Sequence, residues 1–379
     1  MGTTVLICGS DHLPVTSPVQ YVTLNCELKF NAVGCGELVA PATPDLVDAV
    51  TTPGNSVVVV RDGEYFGGGP IERPGCVSWS PDAGVGTITV NFGTWDQLLT
   101  RRLTYPDPEL DADAQTSTSW AATAANAETA MRDLVYLNAG QGALATRQFA
   151  GLYLGDLAGV GTSIDVTTRF EVLIDVLRKI ATAGGGLGFR VRQVGQSDLR
   201  FEVYEPTDRS ESVRFSRGLM NLTSLKTDPE APTGTVAIVG GDGTGASRTI
   251  VERSDTTAVA SWGRYEIWVN QSGTDTTTTE MQQAGDTALV EHGEKAGISC
   301  TAVDGAQAQY GVDYWLGDQV SIEPTSGVSV IDVVGAVKLV STPQGGDVVS
   351  PTIGSTQTTS RQTRQAREVE RRMGRLERS

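Results

Sequence analysis

Apolar and polar residues alternate early in the chain. Val22, Leu24, Leu28 and Phe30 interleave with Thr23, Asn25, Glu27 and Lys29, the period of two that marks a half-buried strand. Val57–Val60 is a continuous apolar run entering Arg61-Asp-Gly-Glu64. Asp-Gly between such runs predicts a two-residue hairpin, because both central positions favour φ > 0. The return strand begins at Tyr65-Phe66 and is broken or bulged by Gly67-Gly-Gly-Pro70, and Val77–Trp79 and Thr87–Phe92 form a further pair. Strands this short and regular predict a small barrel or sandwich over residues 1–115.

From residue 96 the period changes. Asp96–Leu103 reads as a short helix, and Tyr105-Pro-Asp-Pro108 opens a connection. Thr118 or Ser119 is a candidate cap for a helix reaching Asn138, with Ala127, Ala130, Leu134 and Leu137 on one face. Phe170, Leu173, Ile174, Leu177 and Ile180 predict a second helix over Thr168–Ala183, stopped by Gly184-Gly-Gly186. Phe189–Val194 and Leu199–Tyr204 pair around Gly195–Asp198, so residues 116–218 read as an α+β block.

β-pattern returns over residues 219–345. Leu219–Leu225, Thr235–Val239 and Arg248–Arg253 are strand candidates. The passage Trp262–Val340 then reads as strand, helix around Met281–His292, strand and strand, with a tight turn at Gly317-Asp318. Residues 346–360 have linker composition. Residues 361–379 predict a helix whose Ala366, Val369, Met373 and Leu376, spaced 3, 4, 3, form a short a/d seam. Two heptads are too few to stand alone, so the seam predicts association with another copy or a partner; a solubilising tail and a nucleic-acid arm are the lesser readings.

Charge narrows the function classes. The 379 residues carry a net charge of −16. The last nineteen hold seven Arg against three Glu, so the remainder is more acidic still. Such a body argues against nucleic-acid binding and suits a surface that phosphates slide past. The five cysteines, at 8, 26, 35, 76 and 300, show no CxxC spacing and read as free thiols of a protein made in a reducing compartment. The N-terminus lacks a basic region followed by an apolar core, so no secretion signal is expected, and no apolar run is long enough to span a membrane.

Candidate chemistry is sparse. Gly184–Gly188 follows a helix and precedes a strand, the reverse of a dinucleotide fold. Gly240–Gly245 lies between strands and has no P-loop lysine. The two histidines, His12 and His292, stand in unrelated contexts without an HExxH motif. Asp107, Glu109, Asp111 and Asp113 read as a solvated acidic loop, with a weak Ca²⁺ site as the sharper alternative. No catalytic, cofactor or metal residue is assigned.

The layout resembles the baseplate-hub, or tail-associated, proteins of long-tailed phages, especially those of actinobacteria. Two passages carry it: Leu24–Phe30 with Val57–Ile71, and Gly263-Arg-Tyr-Glu-Ile267 with the following helix, Leu316–Ile322 and the strand to Val340. The resemblance implies an α+β, β-rich fold of two small β-barrels (1–115 and 219–345, the second with a helical excursion at 276–298), an α+β middle domain (116–218) and a C-terminal helix. It implies a non-enzymatic, cofactor-free homotrimer in the virion's tail tip, assembled in the host cytoplasm. Its six barrels would match a sixfold tail tube to a threefold tip. Its neighbours would be the tail tube or distal tail protein and a downstream tip or fibre protein, with the tape-measure protein or DNA in its lumen. A tail-associated cell-wall hydrolase or glycan-binding protein is the alternative; a tube subunit or head–tail connector is a third reading.

Overall fold

The computed structural model describes residues 2–354, apart from 79–85, 196, 228–230, 272–276, 295–297, 306, 307, 326 and 327. The predicted seam of Ala366, Val369, Met373 and Leu376 lies outside the described residues.

The first zone contains β1 (Thr3–Cys8), β2 (Thr23–Lys29), β3 (Ala32–Pro41), α1 (Pro44–Thr51), β4 (Ser56–Arg61), β5 (Glu64–Ser78), β6 (Thr87–Gly93) and the single turn α2 (Gln97–Thr100). The β4–β5 hairpin forms as its sequence predicts, with Asp62 at φ +54° and Gly63 at φ +89°. Gly67–Gly69 does not end the strand: it pairs in order with Val59–Val57, the register slips just before it with Phe66 as the extra residue, and β5 continues to Ser78. Glycine is required there, since Gly68 sits at φ +139° and a Cβ would lie 2.2 Å from the Val57 carbonyl oxygen.

The middle block contains β7 (Trp120–Asn126), α3 (Ala127–Asn138), β8 (Leu152–Leu154), β9 (Ser163–Thr168), α4 (Leu173–Ala183), β10 (Gly188–Val194) and β11 (Asp198–Tyr204). Both predicted helices start later than their sequences suggest. Residues 120–126 pair with β9 despite their alanines, and Asn126, not Thr118 or Ser119, caps α3 by accepting from the Thr129 N–H. Pairing has overridden intrinsic propensity. Thr168 likewise belongs to β9, and Phe170 at φ +52° turns the chain before α4 begins. The apolar faces of α3 and α4 close a core with Leu152, Phe189, Val191, Leu199 and Phe201.

The last zone contains β12 (Arg214–Ser216), β13 (Leu222–Thr227), β14 (Val236–Gly240), β15 (Ile250–Ser254), α5 (Thr256–Trp262), β16 (Glu266–Asn270), α6 (Thr278–His292), β17 (Ile298–Ala302), β18 (Gln319–Thr325), β19 (Val328–Thr342) and β20 (Gly346–Ile353). The excursion is larger than the predicted helix. β15, β14 and β16 form their own sheet, β14 and β16 are parallel, and α6 packs Met281 and Leu289 on Ala237 and Val239.

The fold is thus β-rich α+β. The paired strands of the two zones do not separate into closed barrels among the described residues. They join in one twelve-stranded sheet ordered β1-β4-β5-β6-β3-β2-β19-β20-β17-β13, with β18 and β12 attached through β19. One apolar core serves both zones, with Leu24, Leu38, Val57, Val59, Ile88 and Phe92 packed together with Val320, Ile322, Val337, Leu339, Val349 and Ile353.

Candidate assembly surface

Inside that sheet the same six-strand path occurs twice. The first runs β1-β4-β5-β6-β3-β2, and the second β12-β18-β19-β20-β17-β13. Each series is visited in the same sequence order, with β14–β16 and α6 inserted into the second. β5 and β19 are both fifteen residues long and change neighbours halfway, from β4 to β6 and from β18 to β20. Each carries a bulge at the change, between Ile71 and Arg73 and between Val334 and Ala336. The one difference in direction is at the far edge, where β1–β4 is antiparallel and β12–β18 parallel.

The bulges align the two modules residue by residue. Ile71 faces Phe92 as Val334 faces Ile353. Phe92 in turn faces Gly36 as Ile353 faces Cys300, and Gly36 faces Cys26 as Cys300 faces Leu225. Burial follows the same equivalence: Val57 with Val320, Val59 with Ile322, Ile88 with Val349 and Phe92 with Ile353 are all buried.

Gly317-Asp318 has a counterpart in Gly54-Asn55. Gly54 and Gly317 stand at φ +89° and +90°. The next residue's carbonyl accepts from the bulge-side amide in both modules, Asn55 from Ile71 at 3.1 Å and Asp318 from Val334 at 2.9 Å. Each turn leads into an apolar-alternating strand, Gly-Asn-Ser-Val-Val-Val59 and Gly-Asp-Gln-Val-Ser-Ile322. This six-residue repeat was the available sequence signal of the duplication. Local pattern alone marks Gly317-Asp318 as a tight turn, and the strand pairing matches it to Gly54-Asn55.

The side chains of the two turns do different work. The buried Asp318 carboxylate accepts from the Thr207 N–H (2.8 Å), the Trp315 N–H (3.0 Å) and Arg209 Nε (2.7 Å), tying the second module to the segment leaving the middle block. The Asn55 amide donates to Ala49 O at 2.7 Å and holds the end of α1. Two further residues lock the middle block down. Asn31 donates to Leu187 O (2.8 Å) and accepts from Phe189 N–H (2.9 Å). Asp96 accepts from Val191 N–H (2.8 Å) and the Thr94 hydroxyl (3.1 Å). Burial outweighs those bonds and pushes the Asp96 carboxyl up to about 6.

The modules meet along β2 and β19, antiparallel, with Leu24–Lys29 opposite Ser341–Ala336. Tyr21 Oη to Ser341 Oγ (2.7 Å) and Thr3 Oγ1 to Asp347 (2.8 Å) bolt the same seam. The terminal strands β1, β12 and β13 each pair with one strand only among the described residues, and residues 71–78 of β5 pair with β6 but have no strand on their β4 side.

The residues considered for chemistry are not brought together. His12 Nε2 lies 2.9 Å from Ala150 O with its ring edge-on to Trp95, whereas His292 Nδ1 contacts the Thr233 hydroxyl. Burial pushes the Cys8 thiol up to about 11 and those of Cys26 and Cys300 to about 12, and Cys8, Cys26, Cys35 and Cys300 are free. Asp107 accepts from the amides and hydroxyls of Thr116 and Ser117, which hold its carboxyl down at about 2. No metal-binding cluster occurs among the described residues. A cleft of about 470 Å³ between sheet and middle block contains Arg190 and Arg192, but both pair with Glu202.

The architecture is a duplicated module joined edge to edge, with a docked α+β block. The chain belongs to the family described as Siphovirus ReqiPepy6 Gp37-like protein, whose model matches residues 16–355. Its fold is similar to the tail protein from Neisseria meningitidis MC58 (14% identity, TM-score 0.55, 94% of this chain and 97% of that one). It is also similar to the 43 kDa tail protein of prophage MuSo2 from Shewanella oneidensis (10% identity, TM-score 0.54, 92% and 98%). A third similar structure is prophage tail protein gp18 from Listeria monocytogenes EGD-e (10%, 0.53, 97% and 99%). No curated protein sequence matches the chain. No helix among the described residues is long and apolar enough to cross a membrane.

Proposed function

We propose that the chain is the baseplate hub at the tail tip of a long-tailed phage, acting as a homotrimer. The duplication of one six-strand topology within the chain carries this reading. Three copies present six equivalent modules, so one ring can meet a sixfold tube on one side and a threefold tip on the other. In this reading residues 1–115 and 219–345 are the two tube-like domains, each a barrel-like unit completed by its neighbours, and residues 116–218 are an outer brace. The tail tube or distal tail protein sits above and a downstream tip or fibre protein below. The acidic chain, at −16 overall, favours a lumen through which the tape-measure protein or DNA passes without adhering. The protein's role is geometric, without catalysis or cofactor, and it is built into the virion in the host cytoplasm.

Electron microscopy of purified tails, with an antibody to this chain, tests the proposal. The expected result is label at the tip on a ring with threefold symmetry and six similar lobes. Label along the tube, or a ring of six chains, would overturn it. Peptidoglycan zymography and glycan-binding assays of the purified chain are expected to be blank; activity in either would favour the hydrolase or glycan-binding alternative.

A further inference from the structure

The internal seam says what belongs on two of the unpaired edges. β2 is the last strand of the first module, and it pairs with the second half of β19 on the side where β18 covers the first half. The equivalent of β2 in the second module is β13, and the equivalent of the second half of β19 is residues 71–78 of β5. Both lack a strand partner among the described residues, and they are the two unpaired edges whose equivalents are paired in the internal seam. They cannot satisfy each other within one chain without closing the sheet on itself, yet each has the shape that its counterpart has already paired with. Exposed sheet edges are templates for another chain.

We infer that β13 of one copy adds to residues 71–78 of the next copy, antiparallel, in the register of the β2–β19 seam. This rests on the ring proposed above and names the contact that closes it. The register follows from the alignment of the modules. Lys338 faces Glu27 and Leu339 faces Cys26 in the internal seam. Thr89 and Ile88 mark Cys76 and Val77 as the equivalents of Lys338 and Leu339, because Ser350 and Val349 face the latter pair. Cys300 and Ser299 mark Leu225 and Lys226 as the equivalents of Cys26 and Glu27. Residue 76 therefore stands opposite residue 226 of the neighbouring copy, 77 opposite 225, and 78 opposite 224. Pro74, which has no N–H to give, falls in the irregular stretch between Arg73 and Cys76, where a missing ladder bond is tolerated.

The contact is head-to-tail, donor edge to acceptor edge, so its geometry decides between a ring and an open fibre. Repeating the internal seam between copies repeats one rotation at every junction. In a trimer, three seams lie within chains and three between them, all alike.

The test uses the native Cys76. The full-length chain carries K226C, with C35S to remove the exposed cysteine, and is treated with mild oxidant or a short bis-maleimide, both in solution and incorporated into tails. Adjacent antiparallel residues lie close enough for either link. Linked peptides 76–226 and covalent dimers and trimers are expected. They should be at least about tenfold weaker for T227C, which is one residue along and on the opposite face, and absent from K226C/C76S. S78C/S224C in the C76S background, with C35S, should link equally well and guards against a local fault in K226C. A trimeric ring in tails without either in-register link overturns the pairing and leaves the hub reading standing. A chain that is single both in solution and in tails overturns both.

Discussion

At the scale of the residue, the two modules share a backbone and differ in what they ask of one side chain. Asn55 and Asp318 occupy the same slot after a left-handed glycine. Asn55 makes one neutral bond to Ala49 O, so Asn55→Ala is expected to cost about 1 kcal/mol. Asp318 satisfies two amides and a guanidinium from within the core, so Asp318→Ala strands all three and is expected to cost about 3 kcal/mol. Urea denaturation of the two variants checks the order; equal losses would mean the carboxylate is not the tie it looks to be. Asp96 supplies a pH signature. Its folded value, about 6, lies above the usual 3.8, so the unfolded chain gives up this proton first. The contribution to stability is full below about pH 4 and falls by about 3 kcal/mol as pH rises through about 6. The difference between wild type and Asp96→Asn, followed from pH 4 to 8, should show that step. A constant difference would place the carboxyl's folded value near its unfolded one.

At the scale of the element, the bent strands β5 and β19 are the parts most specific to this fold. Gly68 lets β5 cross β4 with its backbone in a region closed to other residues, and Gly68→Ala is expected to cost at least about 2 kcal/mol and to loosen the β4–β5 hairpin first. Hydrogen exchange of Val57–Arg61 measures that loosening, and unchanged protection there would count against it. The hairpin, the β2 alternation, the β10–β11 pair and α6 were legible because each announces itself by a local period or turn residue. The starts of α3 and α4 were not. Trp120–Asn126 carries helix-favouring alanines, and only its partner β9, about forty residues on, makes it a strand. The sheet's order was hidden for the same reason: β2 meets β19 across some three hundred residues, and nothing in either strand names the other. The two cysteines Cys26 and Cys300 read correctly as free thiols, but their place beneath the sheet came only from the fold.

At the scale of the whole molecule, the family model ends at residue 355, before the seam predicted at 361–379; the stretch 346–360, which reads as linker by composition, forms β20 over Gly346–Ile353 because it pairs with β19. In the proposed ring the sheet edges make the contacts between copies, so the predicted C-terminal helix would have a separate task. Ala366, Val369, Met373 and Leu376 give the predicted helix only about two heptads, too short to hold alone. On the proposed threefold ring three such segments would share one axis, and tethering would raise their effective concentration to about the millimolar range, where short coiled coils can form. The same predicted segment carries an Arg excess, against an otherwise acidic chain, which would suit an acidic surface on the proposed downstream tip protein. Truncation after residue 360 is therefore expected to leave the ring's symmetry intact, to lower its resistance to dilution, and to abolish retention of the downstream component. Native mass measurement across a dilution series reads the first two effects, and comparison of the protein content of tails built with full-length and truncated chains reads the third. If neither oligomer mass nor tail composition changes, the helix does not associate, and the contact that closes the ring is left to the sheet edges alone.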